Sequence, residues 1–115
     1  DTQAGLASVR GKVEFYLLLL EEYSAHNVDA VSDFRRILAA GDRRTARRLI
    51  HTLKGVSGTL GISAVHRKAA ELDQALKDDA SAPIIDALAG DLEAVQAEAL
   101  ATIAAARPSA APRQG

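Results

Sequence analysis

The sequence contains no cysteine, no methionine and no tryptophan, and only two tyrosines and two phenylalanines among 115 residues. Without cysteine the chain forms neither a disulfide nor a thiolate metal site, which fits a reducing compartment. The shortage of aromatic residues argues against a sheet, whose strands draw on them. An excess of either charge is also missing. The formal net charge is −1, so no global field draws the chain to nucleic acid or to a membrane surface. Long apolar runs are absent. The most apolar, Leu17–Leu20, is bounded by Glu14, Glu21 and Glu22 and falls far short of the roughly 20 residues that span a bilayer. No signal-peptide pattern is visible. The chain begins with Asp1 rather than methionine, so a domain excised from a larger protein is expected.

Hydrophobic residues make up 48% of the chain, mostly alanine and leucine, which suits helices packed on helices. The length allows one domain with a single core. A short helical turn is expected around Leu6 and Val9, then a helix over 12–24 opened by Gly11, with Val13, Tyr16, Leu17, Leu20 and Tyr23 facing inward. His26 and Asn27 mark a break. A second helix covers 28–40 on Val31, Phe34 and Leu38. Gly41 suits a left-handed turn and Asp42 an N-cap. A third helix covers 43–60. A fourth covers 63–77, capped by Ser63, with Val65, Ala69, Leu72 and Leu76 inward. Asp78 and Asp79 read as loop charge. Pro83 fits the first turn of a fifth helix over 83–106, with a seam of Ile85, Leu88, Leu92, Val95, Ala99 and Ile103 that Gly90 weakens. The predicted fold is all-α: an up-and-down four-helix bundle with a short extra N-terminal segment, spanning 1–106. Residues 107–115 form a Pro/Ala-rich tail expected to be disordered.

The informative stretch is His51-Thr-Leu-Lys54-Gly55-Val-Ser-Gly58-Thr-Leu-Gly61 in the third helix. At about 100° per residue, Leu49, Leu53, Val56 and Leu60 form a core-facing stripe and His51 points roughly 180° away from it. Lys54, Gly55 and Gly58 fall within roughly 60° of His51, as do Arg44, Arg47 and Arg48. Two glycines inside an exposed helix face cost about 2 kcal/mol relative to alanine. A face that another protein approaches closely justifies that cost better than a merely solvated one. Gly61 marks a helix end.

Histidine has an unperturbed pKa near ~6.5, so a solvent-facing imidazole is largely neutral at pH 7. A neutral ring nitrogen can attack phosphorus to form a phosphohistidine. Lys54, one turn on, can meet the phosphate as a point charge. Arg44, Arg47 and Arg48 form a cluster suited to steering an acidic partner. Thr52 and Ser57 are expected to bond back to helix carbonyls. His26 and His66 show no spacing that would hold zinc, so no metal site is expected.

The His-x-x-Lys-Gly motif, with Ala39-Ala-Gly-Asp42 and Ala46-Arg-Arg-Leu49-Ile-His51 ahead of it and Val65, Ala69, Leu72 and Leu76 after it, resembles the histidine-containing phosphotransfer (HPt) domain of bacterial multistep phosphorelays. The resemblance covers about 5–105. It implies a phosphoryl carrier rather than an enzyme, phosphorylated on Nε2 of His51, with Lys54 stabilising the phosphate. The expected docking surface is Gly55, Gly58, Arg44, Arg47 and Arg48. The expected donor is an aspartyl-phosphate of a receiver domain, and the acceptor a second receiver in a response regulator. Mg²⁺ and the catalytic groups are the receiver's; the domain itself binds no cofactor. The expected setting is cytoplasmic, as the C-terminal domain of a hybrid sensor kinase or, alternatively, a free-standing HPt protein, and the isolated domain is expected to be a monomer. Two alternatives keep the fold: a P1-type domain phosphorylated directly by an ATP-bound kinase domain, and a receiver-docking adaptor without phosphate chemistry. An Arg-rich nucleic-acid binder is disfavoured by the net charge.

Overall fold

The computed structural model describes residues 2–106, with side chains from residue 8 onward. The expected tail, 107–115, and the Leu6 side chain lie outside the described residues. Five helices account for the described residues: α1 Thr2–Asn27, α2 Ala30–Ala39, α3 Arg43–Leu60, α4 Ser63–Lys77 and α5 Ala82–Ala106. No strand occurs among the described residues.

Local chemistry sets the turns. Gly41 takes a φ of 90°, and the Asp42 side chain accepts the Thr45 amide at 3.1 Å, capping α3. Gly61 takes a φ of 76° at the end of α3, and the Ile62 amide donates back to the Ser57 carbonyl at 2.9 Å. Such a left-handed cap recovers carbonyls that a helix end would leave bare. Ser63 is the first residue of α4 rather than its cap. Ile62 holds the cap position, with no side-chain bond.

The N-terminal segment departs from expectation. A separate turn and a helix opened by Gly11 are instead one continuous helix, α1. A single glycine costs a helix only about 1 kcal/mol, and no proline interrupts this stretch. Of the inward positions expected there, Leu20 and Tyr23 are buried, whereas Val13 and Tyr16 are exposed.

Leu20, Tyr23, Phe34, Ile50, Leu53, Val65, Leu72, Leu92 and Ile103 build one core. The expected faces of α2, α4 and α5 hold. On α3 the buried residues are Ala46, Ile50, Leu53 and Ser57, so the inward direction lies about 60° from the expected stripe. Val56 is exposed, while Leu49 and Leu60 are half-buried. Ser57 can go inside because its hydroxyl donates to the Leu53 carbonyl at 2.7 Å. This rotation brings Arg47 and Lys54 to the flank of α3 that meets α4. The two helices run antiparallel: Arg43 reaches the Leu76 carbonyl, and His66 reaches the Lys54 carbonyl.

Asp42→Ala removes the α3 cap and should lower unfolding free energy by about 1 kcal/mol in urea titration. Asp91→Ala, on the exposed face of α5, should change it by less than about 0.5 kcal/mol.

Candidate functional site

Arg47, His51 and Lys54 recur at helical spacing (i, i+4, i+7), so three cationic or titratable side chains leave α3 in one direction. Opposite them on α4 is Asp73, only 1% exposed. Its Oδ1 accepts from Arg47 Nε at 3.3 Å. Its Oδ2 lies 3.3 Å from His51 Nδ1 and accepts from Lys54 Nζ at 3.3 Å. Lys77 Nζ, one turn further along α4, is 3.7 Å from the same oxygen. Burial by itself pushes the Asp73 carboxyl up. The hydrogen bonds from His51 and Lys54 and the charges of Lys54 and Lys77 outweigh it and hold the group below the ordinary carboxylate range.

The carboxylate is an acceptor only, so the His51 nitrogen that faces it carries the hydrogen. In the neutral ring, Nε2 then holds the lone pair. The His51 side chain is 59% exposed, so the ring projects from the surface while one edge is tied to a buried anion. An orienting carboxylate on one imidazole nitrogen fixes the tautomer at the other.

The site residues expected from the sequence divide into three groups. His51, Lys54 and Arg47 meet at Asp73. Arg44 and Arg48 are exposed and line a shallow groove with Arg47, His51 and Lys77. The glycines differ from each other. At Gly55 an added Cβ would meet nothing within 4 Å, so its surface is open. At Gly58 an added Cβ would lie 2.7 Å from His66 Nδ1. The depression at Gly58 is therefore filled by the His66 ring, which also faces the Lys54 carbonyl at 2.8 Å. Gly58 is exposed, but close approach of α4 is a sufficient reason for it. Ser57 bonds back to the helix as expected.

Two residues of this constellation were not anticipated. Asp73 and Lys77 carry no local motif, and the only sequence signal was an acid at the edge of the α4 stripe, next to Leu72. A second groove runs on the other side of His51. Leu19, Tyr23 and His26 of α1 form one wall, and Thr52, Gly55 and Val56 of α3 the other. Thus His26 lines a surface shared with His51 rather than standing apart at a turn. Among the described residues, no group of three or more His, Cys, Asp or Glu could hold a metal ion. Nor is any described helix long and apolar enough to cross a membrane.

The sequence model of the Hpt domain family matches residues 18–104, and the chain belongs to that family. Hpt domains act in phosphorelays as phosphohistidine carriers, not catalysts, and interact there with receiver domains of response regulators. The match begins within α1, so the first part of that helix lies outside it. No curated protein and no solved structure matches the chain.

Asp73 contributes to stability in a pH-dependent way. Its folded pKa is depressed, so the contribution is complete above the unfolded value near ~3.9 and is lost as pH falls through the lower folded value. Urea midpoints should fall with acidification below about pH 4 in the wild type, and less steeply in Asp73→Asn. Nitrogen-15 spectra of the imidazoles should show neutral His51 protonated at Nδ1, with mixed tautomers in Asp73→Leu. Gly58→Ala should shift the His66 resonances and leave the His51 tautomer unchanged.

Proposed function

We propose that His51 is the phosphoryl-carrying residue. It takes the group from an aspartyl-phosphate of one receiver domain and passes it to the aspartate of another. The observation that supports this reading most is the bond between buried Asp73 and His51 Nδ1, which leaves Nε2 as the free nucleophile on an exposed ring.

The Nε2 lone pair attacks phosphorus in line with the acyl oxygen. The N–P bond forms, the P–O bond breaks, and the electron pair leaves with the receiver's carboxylate. No proton need move. With Nδ1–H retained, the substituted ring becomes cationic, and the Asp73 carboxylate beside it stabilises that charge, as a carboxylate does for a catalytic imidazolium. Onward transfer returns the pair to Nε2. Phosphoryl transfer is mainly positioning and cancellation of negative charge. Lys54, 27% exposed and bound to the same Asp73 oxygen as His51, is the cation assigned to the phosphate oxygens, with Arg47 and Lys77 in the same cluster. Mg²⁺ belongs to the receiver in this scheme.

The docking surface has two parts. Arg44 and Arg48 offer positive charge to an acidic receiver pocket. Gly55 leaves room beside the ring, next to the apolar wall of Leu19 and Val56.

Transfer from a panel of phosphorylated receivers tests the proposal. Wild type should gain an acid-labile, base-stable label, and His51→Gln none. A labelled His51→Gln protein would refute the assignment. Label from an ATP-bound kinase domain but from no receiver would replace the receiver as donor. Asp73→Leu removes a charge-assisted bond of the kind worth roughly 1.5–3 kcal/mol, so transfer should slow about ten- to a hundredfold. Arg44→Glu with Arg48→Glu should lower the association rate and flatten its dependence on salt.

A further inference from the structure

The first part of α1 lies outside the segment that matches the family. The matched segment begins at residue 18, yet α1 begins at Thr2. From Ser8 to Tyr16 every residue is exposed, so this stretch projects beyond the core. Its apolar pattern nevertheless continues the one inside. Val9, Val13, Tyr16, Leu20 and Tyr23 follow four- and three-residue steps, the spacing of a coiled-coil seam. Leu20 and Tyr23 are 9% and 2% exposed, whereas Val9, Val13 and Tyr16 are 59%, 52% and 43% exposed. One seam is thus covered by α3 and α5 at its C-terminal end and bare at its N-terminal end. Tyr16 marks the boundary, its hydroxyl donating to the Leu60 carbonyl at 2.7 Å while part of the ring stays exposed, and Val9 and Val13 lie beyond it.

The flanks of the bare seam indicate what would cover it. With Val9 and Tyr16 at d and Val13 at a, Arg10 falls at e and Lys12 at g. Both flanks therefore carry a cation, and neither cation has an ion-pair partner among the described residues. A second copy would supply no acid to them. By sequence, the neighbouring e and g positions are Gln3, Gly5, Leu17 and Leu19, so parallel and antiparallel self-pairing both leave Arg10 and Lys12 without a counter-charge. A helix with acidic flanks would satisfy both, since e and g charges set partner choice in such pairs.

We infer that the exposed seam Val9–Val13–Tyr16, flanked by Arg10 and Lys12, is a docking strip for an amphipathic helix with acidic side chains on both flanks. The strip does not include His51.

The test uses the whole chain and a labelled three-heptad helical peptide with leucine at a and d and glutamate at e and g, against a twin with lysine at e and g. Anisotropy should show binding of the glutamate peptide only. Val13→Ser should weaken it on the order of tenfold, and Arg10→Glu with Lys12→Glu should do the same; raised salt should weaken it further. Equal binding of the twins, or binding of neither, overturns the inference. So does light scattering that shows copies of the chain paired in a Val13-dependent way. His51→Gln, inert in transfer, should bind the glutamate peptide like wild type, and its failure to do so would also overturn the inference. Val13→Ser should keep the wild-type melting curve, because the side chain lies outside the core.

Discussion

A single buried carboxylate organises the working face of this domain. Asp73 is almost fully removed from water, and an ionised carboxylate in that position carries a desolvation penalty of several kcal/mol. Four side chains offset it: Arg47, His51, Lys54 and Lys77. Each keeps its outer part in solvent, so only the anion is buried while its partners remain hydrated. Three of the four come from α3 at helical spacing, so Asp73 can satisfy its oxygens only if α3 and α4 meet in one rotation and one register. A sliding of one turn would strand a buried charge. Such clusters contribute more to a defined arrangement than to net stability, since an apolar replacement is often neutral or stabilising. The cluster therefore reads as a device for holding His51.

The same face shows why two glycines on one helix need not serve one purpose. Gly58 lies under the His66 ring, where a methyl group would sit 2.7 Å from a ring nitrogen. The His66 ring reaches the Lys54 carbonyl, which the Ser57 hydroxyl also approaches. That carbonyl belongs to the turn carrying Lys54, so the packing at Gly58 is internal to the α3–α4 pair. Gly55 has no such internal reason. Its open surface lies between the ring of His51 and the apolar wall of α1, where an incoming backbone or side chain would pass.

Much of this was legible in the sequence, for identifiable reasons. Helix ends at Gly41, Asp42 and Gly61 follow from backbone chemistry that acts within a few residues. The faces of α4 and α5 follow from a single apolar period. The position of His51 on a polar face follows from its motif. What escaped reading depended on neighbours distant in sequence. The inward direction of α3 differs because residue type placed Val56 inside, whereas a hydroxyl bond within the helix lets Ser57 be buried instead. Asp73 looked like an ordinary charge beside Leu72. Its role appears only once the register of α3 against α4 is known, and no local pattern encodes that register. The continuity of α1 was missed because Gly11 was given more weight than the cost of about 1 kcal/mol it carries.

The geometry also bears on why a carrier of this kind needs a partner to react. His51 stands between two shallow grooves, 59% exposed, with one nitrogen tied to Asp73 and the other left free. Around it are cations and an orienting acid, which would hold a phosphoryl group on Nε2 by charge. Catalytic electrostatics gain strength where water is excluded, and nothing on this open face excludes it alone. A docked partner covering the groove between α1 and α3 would remove that water and add its own acceptor in line. Storage and transfer then differ by whether the face is covered, and the residues on α3 and α4 need not rearrange between the two.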